Sequence, residues 1–182
     1  MELSNLNIKN GLCLSLGSNI DSKFGNPINS LIQSKFRIEQ IINNLINLNC
    51  SNNLENHILK EIFNWSSLYQ TSPLGVIEKQ PDYINCLLLV KGDLLPPPSI
   101  EKARFLLKEF QNLEKEFGRN KLSNENRWLP RPLDIDILWW DDLYINDADF
   151  KIPHPRFQNR NFVISPLAEV LSIKQKIKKL NV

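Results

Sequence analysis

The chain has 182 residues, of which 42% are hydrophobic and 23% are charged. These values are typical of one globular domain with an apolar core. The formal net charge of +2 at pH 7 is too small for a protein that coats nucleic acid. The three cysteines lack the spacing of metal ligands. The first residues, MELSNLNIKNG, show no secretory signal. No apolar run is long enough to span a membrane. We therefore expect a single domain over residues 1–182, cytoplasmic, with neither a membrane nor a nucleic-acid partner.

The first predicted elements are a strand and a long helix. Residues 11–16 form an apolar run that predicts a buried strand, followed by a turn at Gly17-Ser18-Asn19. Apolar residues recur at helical spacing over residues 28–48, and Pro27 is a start signal, so a long amphipathic helix is expected there. Its stripe, expected to lie in the core, comprises Leu31, Ile32, Phe36, Ile38, Ile41, Ile42, Leu45, Ile46 and Leu48. A linker, about 48–64, follows.

Two further strands and a second helix come next. Residues 63–69 and 82–90 predict strands, the latter buried on both faces, and the long connection at 71–81 favours a functional loop. Ser99 is placed to cap a helix that reaches about Phe117. Gln111 and Glu114 lie three residues apart on its last turns, where a solvated helix face is the simpler interpretation.

The fourth predicted strand, residues 133–139, carries two acids. Asp134 and Asp136 are two residues apart and therefore point to the same face. Taken alone, the pattern is typical of the solvated face of an edge strand. The apolar residues around the two acids instead favour a central strand, which does not readily carry two unpaired carboxylates.

The loop before this strand, residues 119–131, is rich in cations. It carries four basic residues against one acid, Glu125, a pattern that usually marks a solvated surface. The basic residues are Arg119, Lys121, Arg127 and Arg131. Because carboxylates bind hard divalent cations and arginines bind phosphate oxygens, the loop and the two aspartates together predict a metal-assisted phosphoryl-transfer site. No P-loop motif occurs, so arginines, His154 and metal ions would have to hold the phosphates.

Aromatic and amide side chains near the charged segments indicate a second ligand. Tyr83 and Asn85 alternate on one face of the third strand, while Trp128 and Phe162 lie beside charged residues. Aromatic rings stack on flat heterocycles and an asparagine can read an amide edge, although each residue alone is typical of a core.

The order strand, helix, strand, strand, helix, strand predicts a ferredoxin-like βαββαβ core. This is an α+β class with an antiparallel sheet, helices packed on one face, and here two long loops that would belong to the active site. Residues 162–170 predict a late core segment or short helix, and residues 172–182 predict a frayed C-terminal tail.

Several motifs together resemble the 6-hydroxymethyl-7,8-dihydropterin pyrophosphokinase family of folate biosynthesis. They are Thr71-Ser72-Pro73-Leu74-Gly75, Gln80-Pro81-Asp82-Tyr83-Ile84-Asn85, Gly118-Arg119, Arg127-Trp128-Leu129-Pro130-Arg131-Pro132-Leu133-Asp134-Ile135-Asp136 and Pro153-His154-Pro155-Arg156. The resemblance extends from Leu14 to about Glu169. It implies a ferredoxin-like diphosphokinase that transfers pyrophosphate from ATP to the hydroxymethyl group of the reduced pterin and releases AMP.

The resemblance also implies roles for individual residues. Asp134 and Asp136 would bind two Mg²⁺ ions and, with Arg119 and Arg131, form the catalytic set. The implied ATP contacts are Gln111, Glu114, Lys121, Trp128, Arg131, Ile137, His154 and Arg160. The implied pterin contacts are Thr71, Ser72, Leu74, Tyr83, Asn85, Trp128 and Phe162. The expected protein is a monomer acting on these two small molecules. Pro155 and Lys121 depart from some family members, which have tyrosine and arginine there.

Two other functions remain open on the sequence. The same aspartates would suit a metal-dependent nucleotidyltransferase or nuclease, which needs nucleic-acid contacts that a net charge of +2 does not provide. A non-catalytic ferredoxin-like binding module is the other alternative, and it would lack a thermal shift that depends on ATP and Mg²⁺.

Overall fold

One antiparallel sheet, a small hairpin and three α-helices make up the part of the chain that the structure describes. The structure is a computed structural model that describes residues 10–48, 62–73, 79–119 and 129–180. The elements in chain order are β1 Leu12–Ser18, α1 Pro27–Asn47, β2 Phe63–Trp65, β3 Tyr69–Thr71, β4 Tyr83–Val90, α2 Ile100–Glu116, β5 Asp134–Trp140, β6 Ile145–Asn146, β7 Lys151–Ile152 and α3 Asn161–Leu180. Most of the linker predicted at 48–64 lies outside the described residues.

The main sheet confirms the ferredoxin-like order. Its strands run β2-β4-β1-β5, all antiparallel, with β3 also paired to β4. The strand predicted over residues 63–69 is two short strands along the same edge of β4. The interruption falls at Ser66, whose backbone N–H donates to the Leu87 carbonyl while its Oγ accepts from the Leu87 N–H, each at 2.9 Å.

Helices α1 and α2 cover one face of this sheet. Their caps follow the sequence signals: the Asn26 side chain accepts from the Asn29 N–H, and the Ser99 side chain accepts from the Lys102 N–H. Gly118, with φ of 101°, lies just past the end of α2. The apolar core between sheet and helices includes Leu12, Leu14, Leu16, Cys86, Leu88, Val90, Ile135, Ile137, Leu31, Ile38, Ile42, Leu106, Phe110 and Leu113.

Part of the apolar stripe predicted for α1 does not lie in the core. Leu31, Ile38 and Ile42 are buried, whereas Ile32 and Phe36 are 52% and 62% exposed. Leu48, just beyond the helix, is also exposed. A helix that packs on a sheet with one face can bury only about 100° of its circumference, so the prediction was too wide.

Two phenylalanines test the difference between buried and exposed apolar residues on the helices. Phe110 of α2 is 1% exposed, so Phe110→Ala should lower the free energy of unfolding by about 3–5 kcal/mol. Phe36→Ala, the matched change on α1, should stay within about 0.5 kcal/mol because the ring is mostly solvated. Urea unfolding of both variants measures the difference. Equal losses would mean that Phe36 is covered in solution.

Helix α3 packs on the opposite face of the sheet, so the prediction that the helices lie on one face is wrong for α3. Val163, Leu167 and Val170 form a second core with strand residues that include Cys13 and Leu87. The first core had no room for this helix because α1 and α2 already cover that face. The helix continues to Leu180, through most of the segment for which the sequence predicts a frayed tail. Within the described ranges, no helix is long and apolar enough to cross a membrane.

A β-bulge accounts for the adjacent tryptophans of β5. The register between β1 and β5 shifts between Cys13 and Leu14, which leaves one extra residue on β5. Trp139 therefore packs in the second core, under α3, while Trp140 is buried in the first core.

Strand β5 lies at the edge of the sheet, so the prediction of a central strand is wrong. Its apolar residues are buried for two other reasons. Ile135 and Ile137 pack in the core shared with α2, and the backbone N–H of His154 donates to the Leu138 carbonyl at 2.8 Å along the outer edge. Gly17 and Ser18 also extend β1, so the turn predicted there does not include them.

Candidate active site

An open cavity of about 750 Å³ lies on the sheet face that carries α3. Its floor contains the side chains of neighbouring strands: Asp136 is paired with Ser15, and Gly17 is paired with both Asp134 and Asn85. The walls come from residues 71–73 at the end of β3, residues 148–151 of the β6–β7 hairpin, residues 154–156 and the start of α3. Several chain segments that are distant in sequence therefore meet at one end of the sheet.

Asp134 and Asp136 both face this cavity, and arginine side chains lie beside each of them. Asp134 accepts from Arg119 Nη1 through Oδ1 at 2.6 Å and from Arg131 Nη1 through Oδ2 at 2.8 Å. Asp136 Oδ2 lies 3.6 Å from Arg160 Nη1 and 3.9 Å from His154 Nε2. Both carboxylates keep some exposure to the cavity, so they remain available to a ligand.

Glu114 lies beneath this pair instead of on a solvated helix face, which corrects the simpler interpretation of α2. It is 6% exposed, and its Oε1 accepts from the Ile135 N–H at 2.8 Å and from Arg119 Nη1. Burial, followed by the charge of Asp134, raises the pKa of Glu114 to about 7, although Arg119 lowers it. Arg119 thus bridges Glu114 and Asp134, while Gln111 is exposed and does not line the cavity.

The electrostatics at Asp136 favour the arrival of a cation. Burial, and then the charge of Asp134, raises the pKa of Asp136 to about 6, while Arg160 and Arg131 lower it. The ionised carboxylate is therefore held in an unfavourable environment, which a bound divalent cation would relieve. Mg²⁺ is usually held by one or two carboxylates, with water and substrate phosphates completing its shell. The two aspartates fit this donor set.

No larger cluster competes with this assignment among the described residues. In those ranges, no group of three or more His, Cys, Asp and Glu side chains is placed to hold a metal ion. Asp134 and Asp136 are the two carboxylates of the cavity that could hold a Mg²⁺ ion.

His154 is held in its neutral form. Burial, followed by the charges of Arg160 and Arg156, lowers its pKa from 6.5 to about 4. The imidazole near Asp136 is consequently uncharged at neutral pH, and one ring nitrogen can donate while the other accepts. The backbone N–H of Arg156 lies 3.3 Å from Nδ1, which assigns the acceptor role to that nitrogen.

An NMR titration checks this protonation state. Because the pKa is lowered, His154 should stay neutral as the pH falls from 7 to 5 and should titrate with a midpoint near 4 in the metal-free protein. The only other histidine is His57, so His154→Gln assigns the signals. A midpoint at or above 6.5 for His154 would contradict the buried, cation-flanked environment.

The other half of the cavity is lined by uncharged side chains. Asn85 is buried, and its Nδ2 donates to Thr71 Oγ1 at 2.8 Å. A Cβ at position 17 would lie 3.1 Å from Asn85 Oδ1, so a glycine at this position avoids a close contact with the Asn85 side chain. Burial raises the pKa of Tyr83, which keeps its phenol neutral. We call Thr71, Ser72, Tyr83, Asn85 and Phe162 the heterocycle slot, because two aromatic rings and two short polar side chains line the cavity together with an amide.

The structure brings together most of the site residues predicted from the sequence. Those that line the cavity are Thr71, Ser72, Tyr83, Asn85, Arg131, Asp134, Asp136, Ile137, His154, Arg160 and Phe162. Arg119 reaches the cavity through Asp134, and the guanidinium of Arg160 lies 5.4 Å from the Phe162 ring centroid. Leu74, Lys121 and Trp128 lie outside the described residues.

Sequence reasoning missed several cavity residues. Ser15 and Gly17 alternate with buried leucines on β1, and this period of two could have placed them on the same face as Asn85. Leu107, Asp149, Lys151 and Arg156 also line the cavity. The hairpin residues among them belong to no motif, and only the fold brings them to the site.

Fold and site together define a class: a ferredoxin-like α+β protein whose cavity holds a carboxylate pair with several arginines beside aromatic and amide side chains. The family model for 7,8-dihydro-6-hydroxymethylpterin-pyrophosphokinase matches residues 13–172. The chain therefore belongs to this family, as its motifs indicated.

Individual relatives support the same family. The chain is 37% identical over 110 residues to a 2-amino-4-hydroxy-6-hydroxymethyldihydropteridine pyrophosphokinase of Synechocystis, covering 60% of this chain and 50% of the relative. It is 40% identical over 107 residues to the protein of that name from Haemophilus influenzae, covering 59% of this chain and 60% of the relative. The match to the one from Aquifex aeolicus is 30% identical over 157 residues, covering 86% and 78% of the two chains. The chain spans less than two thirds of the length of the first two relatives.

Proposed function

We propose that this chain catalyses the Mg²⁺-dependent transfer of pyrophosphate from ATP to the hydroxymethyl group of 6-hydroxymethyl-7,8-dihydropterin, with release of AMP. The observation that carries the proposal is one cavity in which the Asp134–Asp136 pair and its arginines adjoin the heterocycle slot. A phosphate site alone would suit many nucleotide enzymes. A phosphate site next to a slot for a flat amide-bearing ring supports a transfer between these two substrates.

The reaction exchanges one phosphorus–oxygen bond for another. The hydroxymethyl oxygen bonds to the β-phosphorus of ATP while the bond from that phosphorus to the oxygen shared with the α-phosphorus breaks. AMP leaves with that oxygen, and the hydroxyl proton passes to solvent. Two Mg²⁺ ions held by Asp134 and Asp136 would neutralise phosphate charge and favour loss of the hydroxyl proton.

Side chains of this protein supply positioning and charge. Arg131 bonds to Asp134 and Arg160 lies 3.6 Å from Asp136, so both can contact phosphate oxygens that approach the carboxylate pair. Neutral His154 can bind a phosphate oxygen or the nucleotide by one hydrogen bond. Arg119 is placed to move between Asp134 and a phosphate group as charge develops in the transition state.

The heterocycle slot would orient the pterin. The Asn85 amide is fixed by Thr71, so it can recognise the amide edge of the ring without losing side-chain freedom on binding. Phe162 and Tyr83 provide ring surfaces for the flat ligand. From the family resemblance we add Leu74 and Trp128 to this slot. The same resemblance adds to the nucleotide site Gln111, Glu114, Lys121, Ile137 and, again, Trp128.

A product assay tests the proposal. Incubation of the protein with ATP, Mg²⁺ and the hydroxymethyl-dihydropterin should yield AMP and the pterin diphosphate in equal amounts, resolved by chromatography and mass spectrometry. Omission of the pterin is the control and should leave ATP intact. Formation of ADP would show single phosphoryl transfer and reject the proposal. Hydrolysis or extension of added DNA or RNA would favour the nuclease or nucleotidyltransferase alternative.

We further propose that residues 1–182 act as one monomeric domain in the cytoplasm, without nucleic acid. The small net charge of +2 and the shared core of sheet and helices support this assignment. Light scattering after size exclusion should give about 21 kDa, the mass of one chain. A mass of 42 kDa or more at micromolar protein would reject the monomer.

A further inference from the structure

Glu169 of α3 accepts three hydrogen bonds from the short segment where β2 ends and β3 begins. Its Oε2 accepts from the Ser67 N–H at 2.9 Å and from the Tyr69 hydroxyl at 3.0 Å, and its Oε1 accepts from Ser67 Oγ at 2.8 Å. Partial burial raises the pKa of Glu169, but the hydrogen bonds from Ser67 and Tyr69 bring it below its usual value of 4.5. The carboxylate is therefore ionised at neutral pH, and all three hydrogen bonds are charge-assisted.

The apolar contacts of α3 do not reach this part of the sheet. Val163, Leu167 and Val170 pack on residues of β1, β4 and β5, and within the described ranges the second core includes no residue of β2 or β3. Strand β3 is only three residues long, and in the same ranges it pairs with β4 alone. Glu169 therefore supplies the hydrogen bonds that hold β3 against α3.

Both of these elements carry side chains of the heterocycle slot. Phe162 precedes Glu169 by seven residues, which is about two turns, so the two lie on the same face of α3. Tyr69 and Thr71 are two residues apart on β3 and share one face of the sheet. Thr71 Oγ1 in turn accepts from the Asn85 amide at 2.8 Å. The contacts of Glu169 thus lie between the ring on α3 and the hydroxyl–amide pair on β3 and β4.

We propose that Glu169 is a positioning residue that sets the width of the heterocycle slot by holding β3 at a fixed distance from α3. The inference rests on the proposed function, because it takes the pterin to be the ligand of this slot. Glu169 is not among the residues that line the cavity, so it acts through the two elements and does not touch the ligand. A carboxylate suits this role because it can accept from several donors at once.

Glu169→Ala should impair the use of the pterin and spare the use of ATP. Without the three hydrogen bonds β3 and α3 can separate, which weakens the contacts of the flat ring and its orientation. We expect kcat/KM for the pterin, at saturating ATP and Mg²⁺, to fall by about 10- to 100-fold, while KM for ATP changes by less than about 3-fold. AMP formation at varied pterin and then at varied ATP concentration measures both quantities.

Two conservative variants test whether the hydrogen bonds are responsible. The amide of Glu169→Gln can accept from the Ser67 N–H and the Tyr69 hydroxyl and donate to Ser67 Oγ, so its kcat/KM for the pterin should stay within about 3-fold of wild type. Tyr69→Phe removes one donor and keeps the backbone pairing of β3, so we expect a loss of about 3- to 10-fold. This variant also provides the test if Glu169→Ala does not fold.

Glu39 of α1 is the matched control. It accepts from Trp65 Nε1 at 2.7 Å and so connects a helix to β2, but it does not line the cavity and α1 lies on the other face of the sheet. Glu39→Ala should keep kcat and both KM values even if its melting temperature falls. A thermal melt of each variant accompanies the kinetics.

Each result decides for or against the positioning role. A folded Glu169→Ala protein with wild-type kcat/KM for the pterin overturns the inference. An equal rise of KM for both substrates, or an equal loss in Glu39→Ala, would indicate general destabilisation and also overturn it. Equal losses in Glu169→Gln and Glu169→Ala would show that the hydrogen bonds are not the cause, with the same consequence. Absence of AMP formation by the wild-type protein is a separate result, which rejects the proposed function itself.

Discussion

Asp136→Asn should remove nearly all pyrophosphate transfer and leave a folded protein. The substitution keeps the shape of the side chain but replaces a carboxylate with a neutral amide, which is a far poorer ligand for Mg²⁺. Metal stabilisation of phosphate charge contributes several kcal/mol to such a transition state. We therefore expect kcat/KM to fall by about 10³-fold or more.

The same substitution should not destabilise the ligand-free protein. The pKa of Asp136 is raised from 3.8 to about 6, so the fold disfavours its ionised form. The stability that this raised pKa contributes is present below pH 3.8 and is lost as the pH rises through 6. The asparagine variant has no charge to disfavour. At pH 7 in EDTA its melting temperature should equal or exceed that of the wild-type protein.

Asp147→Asn is the matched control for this change. Asp147 pairs with Arg104 on the surface, with both side chains nearly half exposed. Exposed pairs contribute about 0–1 kcal/mol, so this variant should keep its activity. Steady-state kinetics and thermal melts of the three proteins provide the comparison. An Asp136→Asn protein with near wild-type kcat would remove Asp136 from the metal site.

Arg119→Ala should reduce turnover more than it weakens substrate binding. Arg119 joins buried Glu114 to Asp134 in the ligand-free structure, and in the reaction it would stabilise charge on the transferred group. Removal of one such donor costs about 10²–10³-fold in kcat. KM for ATP should rise by less than about 10-fold, because Arg131 and Arg160 remain.

The variant should also show a pH-dependent loss of stability. Without Arg119, the pKa of Glu114 rises further, since this arginine is the main charge that lowers it. The folded protein then holds the proton of Glu114 more tightly, so its stability should fall more steeply from pH 6 to pH 8 than that of the wild-type protein. Arg37→Ala, which removes an exposed pair with Glu116, should change neither kcat nor this slope. An unchanged kcat with a raised KM in Arg119→Ala would instead mean that this arginine stabilises the bound substrate and the transition state equally.

Much of the fold could be predicted from the sequence because local signals agreed with one another. Ser99 and Gly118 marked the ends of α2, and the apolar runs of β1 and β4 marked buried strands. Patterns of this kind depend on neighbours a few residues away. The position of α3 does not, because a helix with an apolar stripe fits either face of a sheet until the other helices have been placed.

In the candidate site, too, some features could be predicted from the sequence and others could not. The spacing of Asp134 and Asp136 placed both carboxylates on one face from the sequence alone. Their strand nevertheless lies at the edge of the sheet, where α2 and the segment around His154 cover it. The apolar residues of β5, which had predicted a central strand, are therefore buried by tertiary packing against an edge strand.

Residue type and short spacing were enough to predict the order of the main strands and helices, the paired aspartates and the family motifs. The burial of Glu114 beneath Asp134, and the contacts by which Asn19 joins Pro81 to Arg131, were visible only in the folded chain. These contacts link residues on different elements, and Asn19 and Arg131 are 112 positions apart. Their distances and charges follow from how the sheet, α2 and the loops pack, which no local pattern encodes.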